Sequence, residues 1–431
     1  MDNSRTRRRL GLRAAAISSV ALTAIALTGC AASQPSGPTT ITFSYLWGGP
    51  EAKALEKVIA DFNTSQTAIK VVGVSSPDAQ KQLTSMSSSN GSFDVSDNFG
   101  NTTGSWAAKG ILAPLDDYFA DNKVNLKDFA PASLEQMQYK GKTYALPIAV
   151  HTQELLYNKD LLAAAGVQPP TTMDELATAI TKLTKTDANG NITQIGLGNP
   201  STTTLFTTLG YAFGGTWDGA NNDKPTPADP QNVAALDWYT KNVTAKFGAA
   251  KITAFSSGLG QYMSAQDPFY TGKEAMVVDG EWQAVNIPKV APNLKWGVID
   301  IPAESSSLAG STNVSTSTLF IPSNSKHKKE AATFLAYMMG DKAMTAFTLA
   351  LGNLPSKTSL LSDPAYTAIP NFDAWLKPLS SPNAKAMASQ PYSAQYATDL
   401  GTAFDDVARG VATPADAMKS VADKSTSYDA G

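Results

Sequence analysis

The chain has 431 residues, of which 42% are hydrophobic and 16% are charged, and its formal net charge is −3. That is enough apolar material for two or three folded domains, and it excludes a largely disordered protein. The single cysteine excludes a disulfide framework and a cysteine-based metal cluster. Five of the six arginines lie within residues 5–13, so the rest of the chain lacks the basic surface that a nucleic-acid-binding protein needs.

Residues 1–29 are predicted to be a lipoprotein signal peptide. An arginine-rich start is followed by an apolar stretch, residues 14–27, which is short for a membrane-spanning helix. Leu27-Thr28-Gly29-Cys30 comes next and resembles a bacterial lipoprotein signal, in which the cysteine is lipidated and becomes the new N-terminus. The alternative is that Cys30 is an ordinary buried cysteine. Residues 30–40, rich in Ser, Pro and Gly, are predicted to be a tether. The arginines also resemble a twin-arginine export signal, so the export route stays open.

The first folded elements are predicted to be a strand, a helix and a strand. Residues 41–45 alternate between apolar and polar, which is typical of a strand. A helical spacing of apolar residues follows within 55–62, and residues 69–74 form the next apolar strand. This order favours a parallel α/β sheet, in which ligands bind beyond the carboxyl ends of the strands. Trp47 lies at such a position.

The later elements are predicted from similar patterns. Residues 172–175 have the spacing of a capping box, so a helix is expected to start there. Residues 331–338 carry a second apolar helical stripe, and residues 276–278 and 296–301 are predicted strands. The segment 218–230 is rich in Asn, Asp and Pro and is predicted to be a surface loop.

Motifs of catalysis are missing from the sequence. It has no H-E-x-x-H, no G-x-S-x-G and no phosphate-binding loop. We therefore predict no enzymatic activity, no cofactor and no metal. A secreted glycoside hydrolase is the alternative, and it requires two carboxylates facing each other at about 5–10 Å. A surface adhesin is a third class, disfavoured by the α/β pattern.

A series of segments, taken in order, resembles the extracellular solute-binding protein family 1, the sugar-binding lipoproteins of ATP-binding-cassette importers. The resemblance extends over about residues 41–360 and rests on the order and spacing of Phe93-Asp94-Val95, residues 109–116, 139–147, 156–161, 165–167, 170–176, 270–276, Gly280-Glu281-Trp282, 296–298, 331–335 and Gly352-Asn353-Leu354-Pro355. Residues 146–150 and 156–162 are especially similar to the maltose-binding members of the family.

The resemblance implies an α/β, two-lobed periplasmic-binding-protein-like fold with discontinuous lobes, a hinge and an interlobe cleft. By analogy, residues 41–149 plus 308–355 form the N-terminal lobe, and residues 150–307 plus 356–431 form the C-terminal lobe. Hinge crossings are expected near residues 148–153, 301–310 and 354–357.

The implied function is an extracytoplasmic, lipid-anchored receptor that captures a neutral sugar, an oligosaccharide, by hinge closure. Its partners are then the carbohydrate, the membrane permease subunits of an ATP-binding-cassette importer, and the cell membrane through the lipid. Nucleic acid is excluded, and a monomer is expected. The identity, length and linkage of the sugar are not predicted.

Aromatic plates and oriented polar groups are what a sugar site needs. Trp282 matches the sugar-stacking tryptophan of the maltose-binding members, and its neighbour Glu281 is a second candidate. Trp47 is a third, from its place at a strand end. For both tryptophans the alternative is a structural role in the core or at the lobe surface.

Four polar residues complete the predicted ligand-binding set. Asn98 and Asn101 occupy the positions of a sugar-contacting tryptophan and aspartate in the maltose-binding members, His151 that of a glutamate, and Asn199 that of another glutamate. Amides and imidazole can bond hydroxyls. The alternatives are loop asparagines that cap their own backbone and a hinge histidine bonded to backbone. The C-terminal aromatic platform does not align, and Tyr392 and Trp375 are the candidates for it.

Overall fold

The computed structural model describes residues 37–91, 93–219 and 224–428. The predicted signal peptide, its lipidation site Cys30 and most of the predicted tether lie outside the described residues, as does the middle of the predicted loop 218–230. Within the described ranges, no helix has both the length and the apolar character needed to cross a membrane.

The strands alternate with helices along much of the chain. They are β1 (Thr39–Tyr45), β2 (Ile69–Ser75), β3 (Val95–Phe99), β4 (Gln138–Tyr139), β5 (Lys142–Thr143), β6 (Ala145–His151), β7 (Gln153–Asn158), β8 (Lys185–Thr186), β9 (Ile192–Gln194), β10 (Met276–Gly280), β11 (Trp296–Ile299), β12 (Thr312–Phe320) and β13 (Ala384–Ala386).

The helices are α1 (Gly49–Ser65), α2 (Ala79–Ser87), α3 (Thr103–Ala108), α4 (Asp116–Asn122), α5 (Pro131–Glu135), α6 (Lys159–Ala164), α7 (Met173–Leu183), α8 (Thr202–Ala212), α9 (Pro230–Tyr239), α10 (Ala245–Phe247), α11 (Ala249–Ser256), α12 (Gln283–Val290), α13 (Lys328–Met338), α14 (Asp341–Leu351), α15 (Pro364–Thr367), α16 (Asp373–Leu376), α17 (Ser393–Ala408) and α18 (Pro414–Ser425). A π-helical turn, Thr240–Thr244, joins α9 to α10.

The larger sheet has six strands and is built around β12. Strands β2, β1 and β3 run parallel to one another, as the predicted strand–helix–strand order requires. β12 pairs antiparallel with β3 and with β6, and its first residues pair in parallel with β13. The carboxyl ends of β1 and β3 therefore lie side by side, and Trp47 and Phe99 are found there.

The smaller sheet has three strands in the order β10, β7 and β11. Its two faces bury different residues. Leu155, Met276 and Val278 pack into a core formed with α7, α8, α9, α17 and α18. Leu156, Val277 and Trp296 pack into the core that also contains β1 and α1.

A short chain segment leads from the larger sheet to the smaller one. β6 of the larger sheet ends at His151, and β7 of the smaller sheet begins at Gln153, so the main chain passes from sheet to sheet through Thr152, within the predicted crossing 148–153. The lobe boundaries remain predictions, although β13 lies in the larger sheet while the predicted division assigns residues 356–431 to the C-terminal lobe.

Two local predictions, the capping box at residues 172–175 and the surface loop 218–230, differ in detail from the structure. Thr172 caps α7 by accepting a hydrogen bond from the Glu175 backbone N–H. The Glu175 carboxylate, however, accepts its hydrogen bond from the backbone N–H of Thr171 and not from that of Thr172. The segment 218–230 is not entirely at the surface. Asp218 is buried, and its carboxylate accepts a hydrogen bond from the backbone N–H of Ala388.

Candidate functional site

Three cavities adjoin one another where the two sheets meet. The largest, about 660 Å³, is lined by Trp47 and Trp282 and is called the tryptophan chamber here. A second cavity of about 190 Å³, the Asn101 chamber, shares Phe99 and Ser315 with it. A third of about 210 Å³, the Asn199 cavity, shares Tyr262 with it. The tryptophan chamber is therefore the centre of the site.

Trp47 forms one wall of the tryptophan chamber. It follows the carboxyl end of β1, where the buried Asp97 carboxylate accepts a hydrogen bond of 2.7 Å from the backbone N–H of Leu46. Burial raises the pKa of Asp97 to about 7. The indole packs edge-on against Phe347, with ring centroids 4.9 Å apart. Trp47 is thus held from behind while part of its ring faces the chamber.

Trp282 forms another wall of this chamber, on the first turn after β10. Its indole N–H donates a 2.7 Å hydrogen bond to the Tyr262 hydroxyl. That hydroxyl donates to the buried Asp279 carboxylate at 2.8 Å. Burial raises the pKa of Asp279 to about 6. Tyr262 is itself 40% exposed and also lines the chamber. The buried Asp279 carboxylate therefore holds Tyr262 directly and Trp282 through Tyr262.

His151 also lines this chamber, and it bonds to a strand of the larger sheet and to the segment that follows β10. Its Nε2 is 3.0 Å from the hydroxyl of Ser317 on β12, and its Nδ1 is 2.6 Å from the Oε1 of Glu281, which follows β10. The imidazole also meets the Trp282 ring edge-on, with centroids 5.9 Å apart. His151 and Ser317 line the tryptophan chamber. Glu281 is fully buried, behind His151.

The remaining predicted residues are divided among the neighbouring cavities. Asn101 lines the Asn101 chamber together with Thr203 and Thr207 of α8. Asn199 lines the Asn199 cavity, where Glu274 lies. Burial raises the pKa of Glu274 to about 8, reinforced by the charge of Asp267. The structure thus brings Trp47, His151 and Trp282 together around one chamber.

Asn98 has a different environment. Its amide nitrogen donates to the Gln82 side chain at 2.8 Å, and its amide oxygen accepts from the backbone N–H of Phe99 at 2.7 Å. Both polar atoms of the side chain are therefore engaged within the protein. Its sugar contact stays a prediction, and one that uses the second N–H or the second lone pair of the amide.

The two candidates for the C-terminal aromatic platform both lie in the interior. Trp375 is fully buried, its indole N–H donates to the backbone carbonyl of Asp279 at 3.1 Å, and its ring lies 6.3 Å from that of Trp296. Tyr392 is 9% exposed and packs against Tyr396 and Tyr428 in the core beneath α17 and α18.

Two aromatic residues of the cleft were missed by sequence reasoning. Phe99, at the end of β3, is 59% exposed and stands where the tryptophan and Asn101 chambers meet. Its place at the end of a strand was a usable signal, close to the one that singled out Trp47. Tyr262 lies in an irregular loop with no periodic pattern, and only its hydrogen bonds identify it. Asn353, after α14, also lines the tryptophan chamber.

Metal chemistry has no support in this part of the molecule. Within the described ranges, no group of three or more His, Cys, Asp or Glu side chains is placed to hold a metal ion. Among the described residues that line the tryptophan chamber, Glu51 is the one acidic side chain. The polar lining of the chamber is otherwise made of hydroxyls, two amides, an imidazole and one lysine, beside the aromatic rings.

A two-sheet α/β molecule with an aromatic cleft at the sheet junction is the architecture of a small-molecule receptor. The chain belongs to the bacterial extracellular solute-binding protein family, whose model matches residues 48–345. It is similar to the solved structure of CpMnBP1 with mannobiose bound, at a TM-score of 0.74 and 26% identity, covering 90% of this chain and 99% of that one. This likeness establishes the two-lobed α/β fold.

Two curated relatives extend the comparison. The maltotriose-binding protein of Pyrococcus abyssi is 27% identical over 199 residues, which are 46% of this chain and 39% of the relative. An uncharacterized lipoprotein in the oleD 5' region of Streptomyces antibioticus is 26% identical over 357 residues, 80% of this chain and 77% of the relative. The match thus spans well under half of the maltotriose-binding protein.

Proposed function

We propose that this protein is the sugar receptor of an ATP-binding-cassette importer, and that it holds a neutral oligosaccharide between Trp47 and Trp282. The tryptophan chamber carries the proposal. Aromatic plates offer surfaces for the C–H faces of a sugar ring, and the polar groups between them can bond its hydroxyls. The mannobiose bound to CpMnBP1 and the name of the maltotriose-binding relative support this ligand class.

The size of the cleft favours more than one sugar unit. The tryptophan chamber alone offers about 660 Å³, within the range of about 300–1,000 Å³ typical of ligand pockets. It continues past Phe99 into the Asn101 chamber, where α8 and α17 contribute hydroxyls and a tyrosine. A linear oligosaccharide can therefore extend from Trp282 toward Asn101, with the Phe99 ring beneath a middle unit.

The charge of the cleft favours a neutral ligand. Arg409, the one arginine after residue 13, forms an ion pair with Asp406 at the end of α17. Lys289 is the one cationic side chain among the described residues lining the tryptophan chamber. Tight binding of phosphate or carboxylate generally uses arginine forks.

Capture proceeds by a hinge motion. The main chain crosses between the sheets at Thr152, and His151 bonds to Ser317 of the larger sheet and to Glu281, directly after β10 of the smaller one. Rotation about this crossing brings the Trp47 wall against the Trp282 wall, which buries the sugar hydroxyls against fixed partners. A ligand lacking one of those hydroxyls leaves a buried partner unpaired and binds more weakly. The closed form then docks on the permease, as a monomer.

A thermal-shift screen with mannobiose, mannotriose, maltotriose and charged sugar phosphates tests the ligand class. A ligand that binds only the folded state raises the melting temperature. At a ligand concentration one hundred times the dissociation constant, it stabilises the fold by about 2.7 kcal/mol. We expect a neutral oligosaccharide to raise it and the phosphates to leave it unchanged. A response to sugar phosphates alone contradicts the proposal.

The lipid anchor is part of the proposal. Cys30 after the apolar stretch carries the lipid, residues 1–29 are removed, and the receptor remains at the outer face of the cell membrane. The lipoprotein relative from Streptomyces antibioticus supports this. We expect the wild type to partition with membranes and Cys30→Ala to be released, because anchoring depends on the acyl chains. Retention of the variant on membranes contradicts the anchor.

One observation favours a hydrolase as the second candidate. Ser317, His151 and Glu281 are hydrogen-bonded in the order of a nucleophile, a base and an orienting acid. Ser317 lies mid-strand, however, with Phe99 and Ala149 as partners on either side. The main-chain N–H groups there are used in hydrogen bonds between strands, so they are not free to form an oxyanion hole. We expect no release of p-nitrophenol from its acetate ester and no cleavage of the bound oligosaccharide.

A further inference from the structure

Glu281 is an unusual residue for the interior of this molecule. It is 0% exposed, and only its Oε1 has a hydrogen-bond partner, His151, while its Oε2 is buried without one. Burying a carboxylate with an unpaired oxygen destabilises a fold. Packing alone therefore gives no reason for an acid at this position, and its single bond to His151 is the feature to explain.

The bond to Glu281 decides which nitrogen of His151 carries the proton. A carboxylate only accepts hydrogen bonds, so Nδ1, 2.6 Å away, must be the donor. In a neutral imidazole with its proton on Nδ1, Nε2 is an acceptor. The Ser317 hydroxyl, 3.0 Å from Nε2, then donates to it. The same logic operates where a carboxylate fixes the tautomer of a metal-binding histidine.

We infer that Glu281 is a positioning residue which holds His151 in the Nδ1-protonated tautomer, so that this part of the cleft presents hydrogen-bond acceptors to the sugar. The inference rests on the proposed function. His151 and Ser317 line the tryptophan chamber, and a hydroxyl of the ligand donates either to Nε2 in place of Ser317 or to the free lone pairs of the Ser317 oxygen. Glu281 acts through the imidazole and does not touch the ligand.

The geometry also ties this residue to the stacking platform. Glu281 and Trp282 are adjacent, and the His151 ring packs edge-on against the Trp282 ring. Because Glu281 directly follows β10 and Ser317 belongs to β12, the bonds of His151 join β12 of the larger sheet to the segment after β10 of the smaller sheet. The imidazole is therefore fixed in both tautomer and orientation before a ligand arrives.

Nuclear magnetic resonance of ¹⁵N-labelled imidazoles tests the tautomer without any ligand. The chain contains two histidines, so His327→Gln assigns the His151 signals directly. We expect neutral His151 in the wild type to carry its proton on Nδ1, and Ser317→Ala to keep that tautomer. In Glu281→Leu we expect the proton to move to Nε2 and bond to Ser317. An Nε2-protonated His151 in the wild type overturns the inference.

Calorimetry with mannobiose, mannotriose and maltotriose tests the consequence for binding. We expect Glu281→Leu to weaken the binding sugar about tenfold, the effect of one hydrogen bond, while the ligand-free melting temperature stays near that of the wild type. Glu281→Gln restores most of the affinity, because its amide oxygen still accepts from Nδ1–H. Unchanged affinity in Glu281→Leu overturns the inference.

The two proposals fail separately. If none of the three sugars binds the wild type, the proposed ligand class is wrong, whereas the tautomer measurement on the free protein still decides the role of Glu281. If a sugar binds and His151 proves to be Nε2-protonated, the receptor function stands and the positioning role falls. Should Glu281→Leu fail to fold, the wild-type tautomer remains decisive.

Discussion

Trp282 and Trp375 are both linked to Asp279 by hydrogen bonds, Trp282 through Tyr262 and Trp375 directly, but they differ in exposure. Trp282 is partly exposed and lines the tryptophan chamber, whereas Trp375 has no exposed surface. We expect Trp282→Ala to weaken binding of the sugar about 30-fold, because a buried aromatic anchor contributes about 2 kcal/mol. The ligand-free melting temperature should change little. Calorimetry and a melting curve on the same variant measure both quantities.

Trp375→Ala is the matched control for this prediction. Removing a fully buried tryptophan leaves a cavity, which costs about 3–5 kcal/mol of folding free energy. We expect a strongly lowered melting temperature for this variant and near-native affinity at low temperature. If Trp282→Ala shows that pattern instead, Trp282 belongs to the core and not to the sugar site.

At the scale of elements, the end of β10 positions the Trp282 platform through a glycine. A Cβ atom added at Gly280 would lie 2.3 Å from the Trp282 ring. The φ angle of Gly280 is outside the left-handed region, so the backbone itself accepts an alanine. Gly280 is thus needed for the close approach of the ring, and not for its backbone conformation.

Gly280→Ala should therefore move the platform without damaging the core. We expect the sugar affinity to fall about tenfold or more as the indole swings away and its bond to Tyr262 breaks. Gly258→Ala serves as control, since an added Cβ there meets only the Phe255 carbonyl at 3.6 Å. Equal affinities of the two variants contradict this account of Gly280.

Elements governed by local sequence were predictable, and contacts between distant segments were not. The alternation in β1, the apolar stripe of α1 and the cap at Thr172 each depend on residues a few positions apart, so the sequence displays them. β11 was predicted to reach Ile301 but ends at Ile299. The Ile301 backbone N–H instead donates to the buried Glu154 carboxylate, 147 positions away.

The same limit applies to the candidate site. Trp47 could be found because it follows a strand of a parallel sheet, where ligands bind. Trp282 could be found because it matches the sugar-stacking tryptophan of the maltose-binding members. Tyr262 could not, since its bonds to Trp282 and Asp279 depend on how a loop folds back on β10. The burial of Trp375 could not be predicted, because an aromatic residue near the C-terminus has the same appearance in sequence whether it is buried or exposed.

At the scale of the whole molecule, buried acids determine how stability depends on pH. Burial raises the pKa of Asp97 and Asp218 to about 7, and that of Glu274 to about 8. Because the folded pKa values exceed the unfolded ones, the native state binds more protons than the unfolded state between about pH 4 and pH 8. The free energy of unfolding then falls as the pH rises through this window.

The surface acids act in the opposite direction and at lower pH. Although its partial burial opposes the effect, hydrogen bonds from Ser359 and Lys357 hold the pKa of Asp128 below its usual value. The stability that this carboxylate contributes is present above pH 4 and is lost as the pH falls further. We therefore expect the melting temperature to peak near pH 5 and to be several degrees lower at pH 8.5, as measured by calorimetry across a pH series.

Glu274→Gln isolates one of the buried acids. Its amide oxygen can still accept the hydrogen bond that the Asn199 backbone N–H gives to the carboxylate, while the group no longer ionises. Between its unfolded and its folded pKa, a group with a raised pKa lowers the free energy of unfolding by up to about 1.4 kcal/mol per pH unit. We therefore expect the variant to melt higher than the wild type at pH 8.5 and nearly to match it at pH 5. Exposed Glu175→Gln should show no such gain at high pH. A melting temperature of the wild type that rises from pH 5 to pH 8.5 contradicts this assignment, because it requires the buried carboxyls to be stabilised in their charged form.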